Sequence, residues 1–268
     1  MIKQFELRTN MSELKTRLAH QLLETVPVNR GKWQAEEVTG SNYSTHELSN
    51  VVIHVPGVNS VDQARAILEP DLPWADDHHH ERISGVGMNP APSYKDWPWH
   101  SAKEAERHAK DEGRFDHTYP ERLWPKWVEG DPVAPPRRGL RFELGELGDV
   151  TDQLRKDPRT RQAFLPIWFP EDTGAVDGQR VPCSLGYHFI QNGPQLDVNY
   201  FLRSCDLTRH FHNDVYFTMR LLQYVLDSMR LEDNGSRTDF RTPYIGDITI
   251  FISNLHLFKA DVWRYDHA

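Results

Sequence analysis

Apolar residues recur at three- and four-residue steps at Leu14, Leu18, Leu22 and Val26, directly after Asn10-Met-Ser-Glu13, a string with the form of a capping box. This predicts a first helix ending near Pro27. From residue 162 the pattern shortens. Gln162-Ala-Phe-Leu-Pro-Ile-Trp168, Leu185-Gly-Tyr-His-Phe-Ile-Gln191 and Gln195-Leu-Asp-Val-Asn-Tyr-Phe-Leu202 are β-branched or aromatic runs bounded by Pro, Gly and Asn, and they predict three strands. Asn192-Gly193 predicts the hairpin turn between the last two. Val215, Met219, Leu222, Val225 and Met229 return to helical spacing, and the alternation Ile248, Ile250, Ile252 then predicts a strand running on through Leu255-His-Leu-Phe258. Asn89 to Trp99 and Pro120 to Pro136 mix prolines with aromatics and lack a period, which predicts ordered loops over a site. The plainer alternative is that Trp97, Trp99, Trp124 and Trp127 pack those loops down. No internal repeat and no sharp break in composition occurs. The expected fold is α+β, a mixed β-sheet core with a long buried helix.

Composition narrows the function. Thirty-one Lys and Arg against thirty-nine Asp and Glu give a formal charge of −8, with 38% hydrophobic residues, which excludes a disordered chain and a generally basic nucleic-acid coat. An anionic ligand stays open, because a pocket gathers a few arginines inside an acidic protein. Only Cys183 and Cys205 occur, too few for a disulfide framework or a four-cysteine zinc site, so a reducing compartment is expected. The beginning of the chain lacks a signal-like apolar run, and no stretch has membrane-span length, so the expectation is a soluble, cytoplasmic protein with no membrane or direct nucleic-acid partner.

Three strings carry candidate chemistry. Cys183, in Val181-Pro-Cys-Ser-Leu-Gly186, stands before a predicted strand; taken alone it reads as a buried small hydrophobe, but beside Arg161 and Arg203 on flanking strands it becomes a candidate nucleophile. Arg203-Ser-Cys-Asp-Leu-Thr-Arg-His-Phe-His-Asn-Asp214 closes a strand and opens the long helix. Arg203, Ser204 and the helix N-terminus can donate to an anion, while Asn213 or Asp214 read alone is a helix cap. In the same string His210 and His212 would share a face if they lay on a strand, which raises a metal site. Asp76-Asp-His-His-His-Glu81 raises another, although consecutive histidines in regular structure cannot all face one ion, and a solvated turn or helix start is the simpler reading.

In order, these strings resemble the thymidylate synthase superfamily. Its motif is Pro-Cys, then Arg-Ser-x-Asp twenty residues on, then a base-reading residue, matched here by Cys183, Arg203-Ser204, Asp206 and Asp214. Asp157-Pro-Arg-Thr-Arg161, Trp168 and Ser253-Asn-Leu-His256 look like further family segments in the family order; the resemblance covers roughly residues 115–263. Thymidylate synthases carry Asn where this chain has Asp214, and His where it has Ser184. Both departures look like the bacteriophage deoxycytidylate hydroxymethylases. A carboxyl suits cytosine, since it accepts from the exocyclic amino group and directs a proton to N3.

The resemblance implies a single domain over residues 1–268 and a transferase that converts dCMP to 5-hydroxymethyl-dCMP with 5,10-methylenetetrahydrofolate as co-substrate and no metal. It implies Cys183 as the nucleophile at C6, Asp214 as base reader, Tyr119 near C5, and Glu81 as the local candidate for the water-organising glutamate. Arg203, Ser204, Asp206, His256 and Arg30 would bind substrate, Trp97 would close over the transferred carbon, and Arg161 would reach the phosphate of the other subunit in a homodimer. Gln162 stands where the family has a second Arg, and Phe258 where it has a sugar-binding Tyr, so the sugar is left open between dCMP and CMP. A CMP 5-hydroxymethylase of nucleoside biosynthesis is therefore the near alternative, and methyl transfer to dCMP the next. A metal-dependent oxygenase or binding protein built on the histidines is the alternative from another class.

Overall fold

The computed structural model describes residues 2–33, 36–37, 40–101, 113–127, 145–177, 180–230 and 243–265. A mixed sheet organises them. Its strands in spatial order are β1 (Lys3–Glu6), β4 (Thr45–Val55), β9 (Tyr244–Phe258), β7 (Gln195–Leu202), β6 (Ser184–Asn192) and β5 (Phe164–Pro166), and the short β8 (Cys205–Asp206) continues beside β9. β2 (Lys32–Trp33) and β3 (Glu36–Glu37) pair separately. β9 runs antiparallel to β4 and parallel to β7, which places it at the centre. Its alternation explains that position. Ile248, Ile250 and Ile252 are buried opposite Val55, Ile53 and Val51, while Phe251 and Ser253 point to the other face.

Helices cover the buried face. In α1 (Met11–Leu23) the side chain of Asn10 accepts the Glu13 amide at 3.0 Å, and Leu14, Leu18 and Leu22 enter the core. The helix stops at Leu23, short of Pro27. The long helix lies over the sheet from Phe211 to Arg230, with Val215, Met219, Leu222 and Val225 fully buried. Shorter helices are α2 (Val61–Leu68), α3 (Trp74–Arg82), α4 (Tyr119–Leu123) and α5 (Leu147–Lys156), so the long one is α6.

Several sequence expectations shift. The strand expected over 162–168 is reduced to Phe164–Pro166, with a proline that has no N–H to donate. The hairpin turn is formed by Gly193 and Pro194, one residue later than expected, with Gly193 at φ +59° and Asn192 paired to Gln195. Asp76–Glu81 begins in the first turn of α3, the helix start of the two alternatives rather than the turn. The proline-rich loop after Asn89 contains a 3-10 turn over Pro92–Asp96, and the later one starts with α4; its residues 128–136 lie outside the described residues. The 11-residue β4 has no counterpart among the strands that the sequence pattern predicts.

The end of β6 is shaped to present a side chain. Its pairing with β7 shifts register between Ser184 and Gly186, a bulge of the kind that re-aims a side chain at the end of a strand. A Cβ at Gly186 would stand 2.7 Å from the Leu165 carbonyl oxygen, so only glycine fits there. On the face away from the helices, Phe164, Phe201 and Phe251 form an aromatic row, with ring centroids 6.3 and 5.0 Å apart in sequence order; Phe164 and Phe251 are 43% and 37% exposed.

Candidate active site

Cys183 ends the loop that leads into β6, and Arg203 follows directly from β7, so the hairpin between them fixes their meeting. The Arg203 amide donates to the Cys183 carbonyl at 2.9 Å, and its guanidinium donates to the carbonyls of Pro182 and Val181 at 2.9 and 3.0 Å. Held this way, Nη2 lies 3.8 Å from the half-buried Cys183 Sγ. Burial pushes the thiol above its ordinary range. The Arg203 charge opposes that, Asp214 adds to it, and Arg180 opposes it in turn. With two bonds made to carbonyls, the five-donor guanidinium keeps donors for an anion.

Tyr119, at the first position of α4, is placed by a capping box between Thr118 and Glu121. Its hydroxyl is 2.9 Å from Ser184 Oγ, which is in turn 2.5 Å from the Tyr200 hydroxyl. Burial keeps both phenols neutral. This relay runs beside the thiol.

Asp214 projects from the first turn of α6 with its Oδ2 4.0 Å from the Cys205 Sγ. Loss of hydration pushes its carboxyl up to about 7, the nearby Arg82 pulling it down and Asp206 pushing it up. Asp214 also acts electrostatically on Cys183 and Tyr119, so the three share one neighbourhood. On the adjacent side Ser204 Oγ lies 3.3 Å from His256 Nδ1, and burial favours the neutral imidazole. Asp206 accepts the amides of Thr208 and Arg209 at 2.8 and 3.1 Å and an ion pair from Arg209 at 3.2 Å, which holds the turn into α6.

The other candidates make contacts of their own. Glu81 is spent within its own neighbourhood: it bonds His78 Nδ1 at 3.0 Å and accepts from the amide and hydroxyl of Ser93, both at 2.6 Å. Arg30 is exposed and pairs with Glu47, whose carboxyl it holds down to about 2; Asn254 donates to the same carboxylate at 2.8 Å. Arg161 is exposed beside β5, its carbonyl 3.1 Å from His188 Nε2. Trp97 stacks on His210 at 5.0 Å, and its buried indole N–H has no acceptor among the described residues.

The histidines do not converge. His210 and His212 lie at the start of α6 instead of on a strand. His210 faces Trp97, while His212 bonds Asp71 at 3.2 Å and approaches Lys15 at 3.5 Å. In α3, His78 stacks on Trp74 at 5.2 Å, His79 is buried and His80 is exposed. Among the described residues no group of three His, Cys, Asp or Glu side chains could hold a metal ion.

The sequence pattern does not single out one residue of this neighbourhood. Arg82 is only 6% exposed, and its guanidinium lies 4.1 Å from the centre of the Tyr119 ring and 4.0 Å from that of Phe217. The signal that could have found it is its place on one helical face with Ala75 and His79, at steps of four and three residues.

The sheet order and the helices that cover it form a thymidylate synthase-like α+β fold. The thermostable thymidylate synthase A from Bacillus subtilis superposes over 97% of this chain and 83% of its own, with a TM-score of 0.64 at 13% identity. The thymidylate synthase from T4 phage does so over 94% and 78%, with a TM-score of 0.59 at 16% identity. No family model matches the sequence.

Proposed function

We propose that this protein is a pyrimidine C5 one-carbon transferase that converts dCMP to 5-hydroxymethyl-dCMP with 5,10-methylenetetrahydrofolate. The observation that carries the reading is the half-buried Cys183 thiol, 3.8 Å from the Arg203 guanidinium, with Asp214 reaching Cys205 just beyond that arginine. The thymidylate synthase fold supports the general reaction, and the acid at position 214 supports cytosine.

Each residue takes a separate part of the chemistry. Arg203 and Ser204 bind the 5′-phosphate, and His256 the sugar. Asp214 gives its proton to N3 and accepts from the exocyclic amino group, which draws electrons from C6. The Cys183 thiolate then adds to C6 and makes C5 nucleophilic. Bound folate supplies a one-carbon unit at the oxidation level of formaldehyde; C5 takes it and loses its proton, and tetrahydrofolate departs. Water adds to the resulting exocyclic methylene, and Cys183 leaves C6. The sum is dCMP, methylenetetrahydrofolate and water giving 5-hydroxymethyl-dCMP and tetrahydrofolate, with no hydride consumed. Tyr119, neutral and linked to Ser184, assists proton removal at C5 in this reading. A seat for the flat ring of folate is supported by the Trp97–His210 stack, whose indole N–H has no acceptor among the described residues, and by Trp99 close to it in the chain, 5.2 and 4.9 Å from the guanidinium groups of Arg209 and Arg264.

Release of tritium from dCMP labelled at C5 tests the reading. It should depend on methylenetetrahydrofolate; release of none from dCMP or CMP would refute it. CMP in the same assay reads the sugar preference, which Phe258 leaves without a tyrosine hydroxyl.

A homodimer belongs to the same reading. The exposed row of Phe164, Phe201 and Phe251 supports pairing of two sheets through this face, with Arg161 nearby to reach the partner's phosphate. Phe251→Asp is expected to turn a dimer into a monomer in sedimentation velocity and to lower turnover at least tenfold. A monomeric parent protein would contradict this.

A further inference from the structure

We propose that Arg82 is a positioning residue that acts through Asp214: its buried guanidinium sets how readily Asp214 holds a proton and thereby how strongly the site prefers cytosine to uracil. The inference deepens the reading of the site as a pyrimidine transferase and rests on it for the consequence at the base.

The geometry is unusual for an arginine. The side chain is almost wholly out of water, its Nε finds no acceptor among the described residues, and the rings of Tyr119 and Phe217 pack against its guanidinium. A cation buried in this way projects its field onto its neighbours with little screening. The tyrosine is itself part of the site, hydrogen-bonded to Ser184, the residue after the thiol. The backbone holds Arg82 in place independently of its charge, because the Trp124 indole donates to its carbonyl at 2.8 Å.

Asp214 receives that field, because it stands one turn before Phe217 on α6 and the guanidinium packs 4.0 Å from the centre of that ring. The described groups that face it are Arg82 from α3, Asp206 from β8, Cys205 and Cys183 at the strand ends, and the phenols of Tyr119, Tyr187 and Tyr200. The phenols are kept neutral and the thiols lean the same way, so Arg82 is the cation set against burial and the Asp206 charge. Without it the carboxyl would keep its proton to higher pH.

The consequence at the base follows from basicity. N3 of cytosine accepts a proton readily, whereas O4 of uracil is a very weak base, so activation of cytosine needs the acid form and activation of uracil does not. Preference for dCMP over dUMP in kcat/KM should therefore fall as pH rises through the Asp214 titration. An Asp214 that titrates near neutrality makes that preference pH-dependent in the working range.

The test is a titration of the free enzyme labelled with carboxyl-13C aspartate, the Asp214 signal being the one missing from Asp214→Asn. The wild-type midpoint should lie at about 7. Arg82→Met should raise it by about one pH unit, and Arg82→Lys should restore it. The pH at which dCMP preference falls should move by the same amount, with thermal melting confirming that the variants are folded. An unchanged midpoint in folded Arg82→Met overturns the proposal. Should the midpoint move while no pyrimidine nucleotide is processed at any pH, the coupling stands and the nucleotide reading fails.

Discussion

Replacing Cys183 by alanine is expected to abolish turnover of dCMP, lowering kcat by about four orders of magnitude or more, as loss of a covalent nucleophile does elsewhere. The size of the effect follows from the absence of a substitute. Cys205 is buried, and burial pushes its thiol well above the ordinary range. Ser184 is buried between two phenols. Neither can be delivered to C6. Nucleotide binding should survive, because Arg203 is held by the carbonyls of Val181, Pro182 and Cys183, all backbone groups unaffected by the change. A dissociation constant for dCMP within a few-fold of the parent, measured by calorimetry, therefore separates chemical failure from structural failure. Retained turnover would remove the covalent mechanism.

Asp214→Asn is the second large effect. An amide can turn to offer either a donor or an acceptor, so it meets cytosine and uracil about equally well, but it cannot give up a proton to N3. The loss should therefore fall mainly on kcat for dCMP, by roughly 10²–10⁴, the range typical of a positioned acid. Turnover of dUMP should fall less or rise. The pH profile carries a second signature. The reactive form needs a proton on Asp214, which titrates at about 7, and a thiolate at Cys183, whose thiol is pushed above its ordinary value. Below about 7 the rate on dCMP rises with the thiolate fraction; above that value, loss of the Asp214 proton cancels the gain and the profile is flat. With asparagine the flat region should vanish and the residual rate should keep rising towards the thiol titration. An unchanged cytosine preference would contradict the role of Asp214.

The parts of this site legible in the sequence are those set by local pairing. Cys183 and Arg203 are the two ends of one hairpin, in which Ser184 pairs with Leu202, so a fixed count of residues along the chain becomes a fixed contact in space. His256 reaches the same place because β8 runs parallel to β9 with Asp206 opposite it. The segment Ser253–His256 is visible as a family string, whereas its register is not. β4 escapes because its first half, Thr45-His-Glu-Leu-Ser-Asn50, is largely polar and Asn50 adopts φ +57°, which interrupts the alternation that Val51, Ile53 and Val55 resume. Arg82 escapes for a different reason. It follows three histidines and a glutamate, a string that reads as solvated, and only the packing of α3 against α4 and α6 turns His79 and Arg82 inward. The 3-10 turn over Pro92–Asp96, also packed on α3, holds Glu81 through Ser93, so adjacent charged residues on one helix take unrelated roles.

The mass of the product formed from dCMP and methylenetetrahydrofolate tests the central claim most directly. The expected product is a nucleotide heavier than dCMP by one CH2O unit, formed with one equivalent of tetrahydrofolate and no dihydrofolate. A product heavier by a single CH2 unit with release of dihydrofolate, or unchanged dCMP beside a converted dUMP, would contradict it.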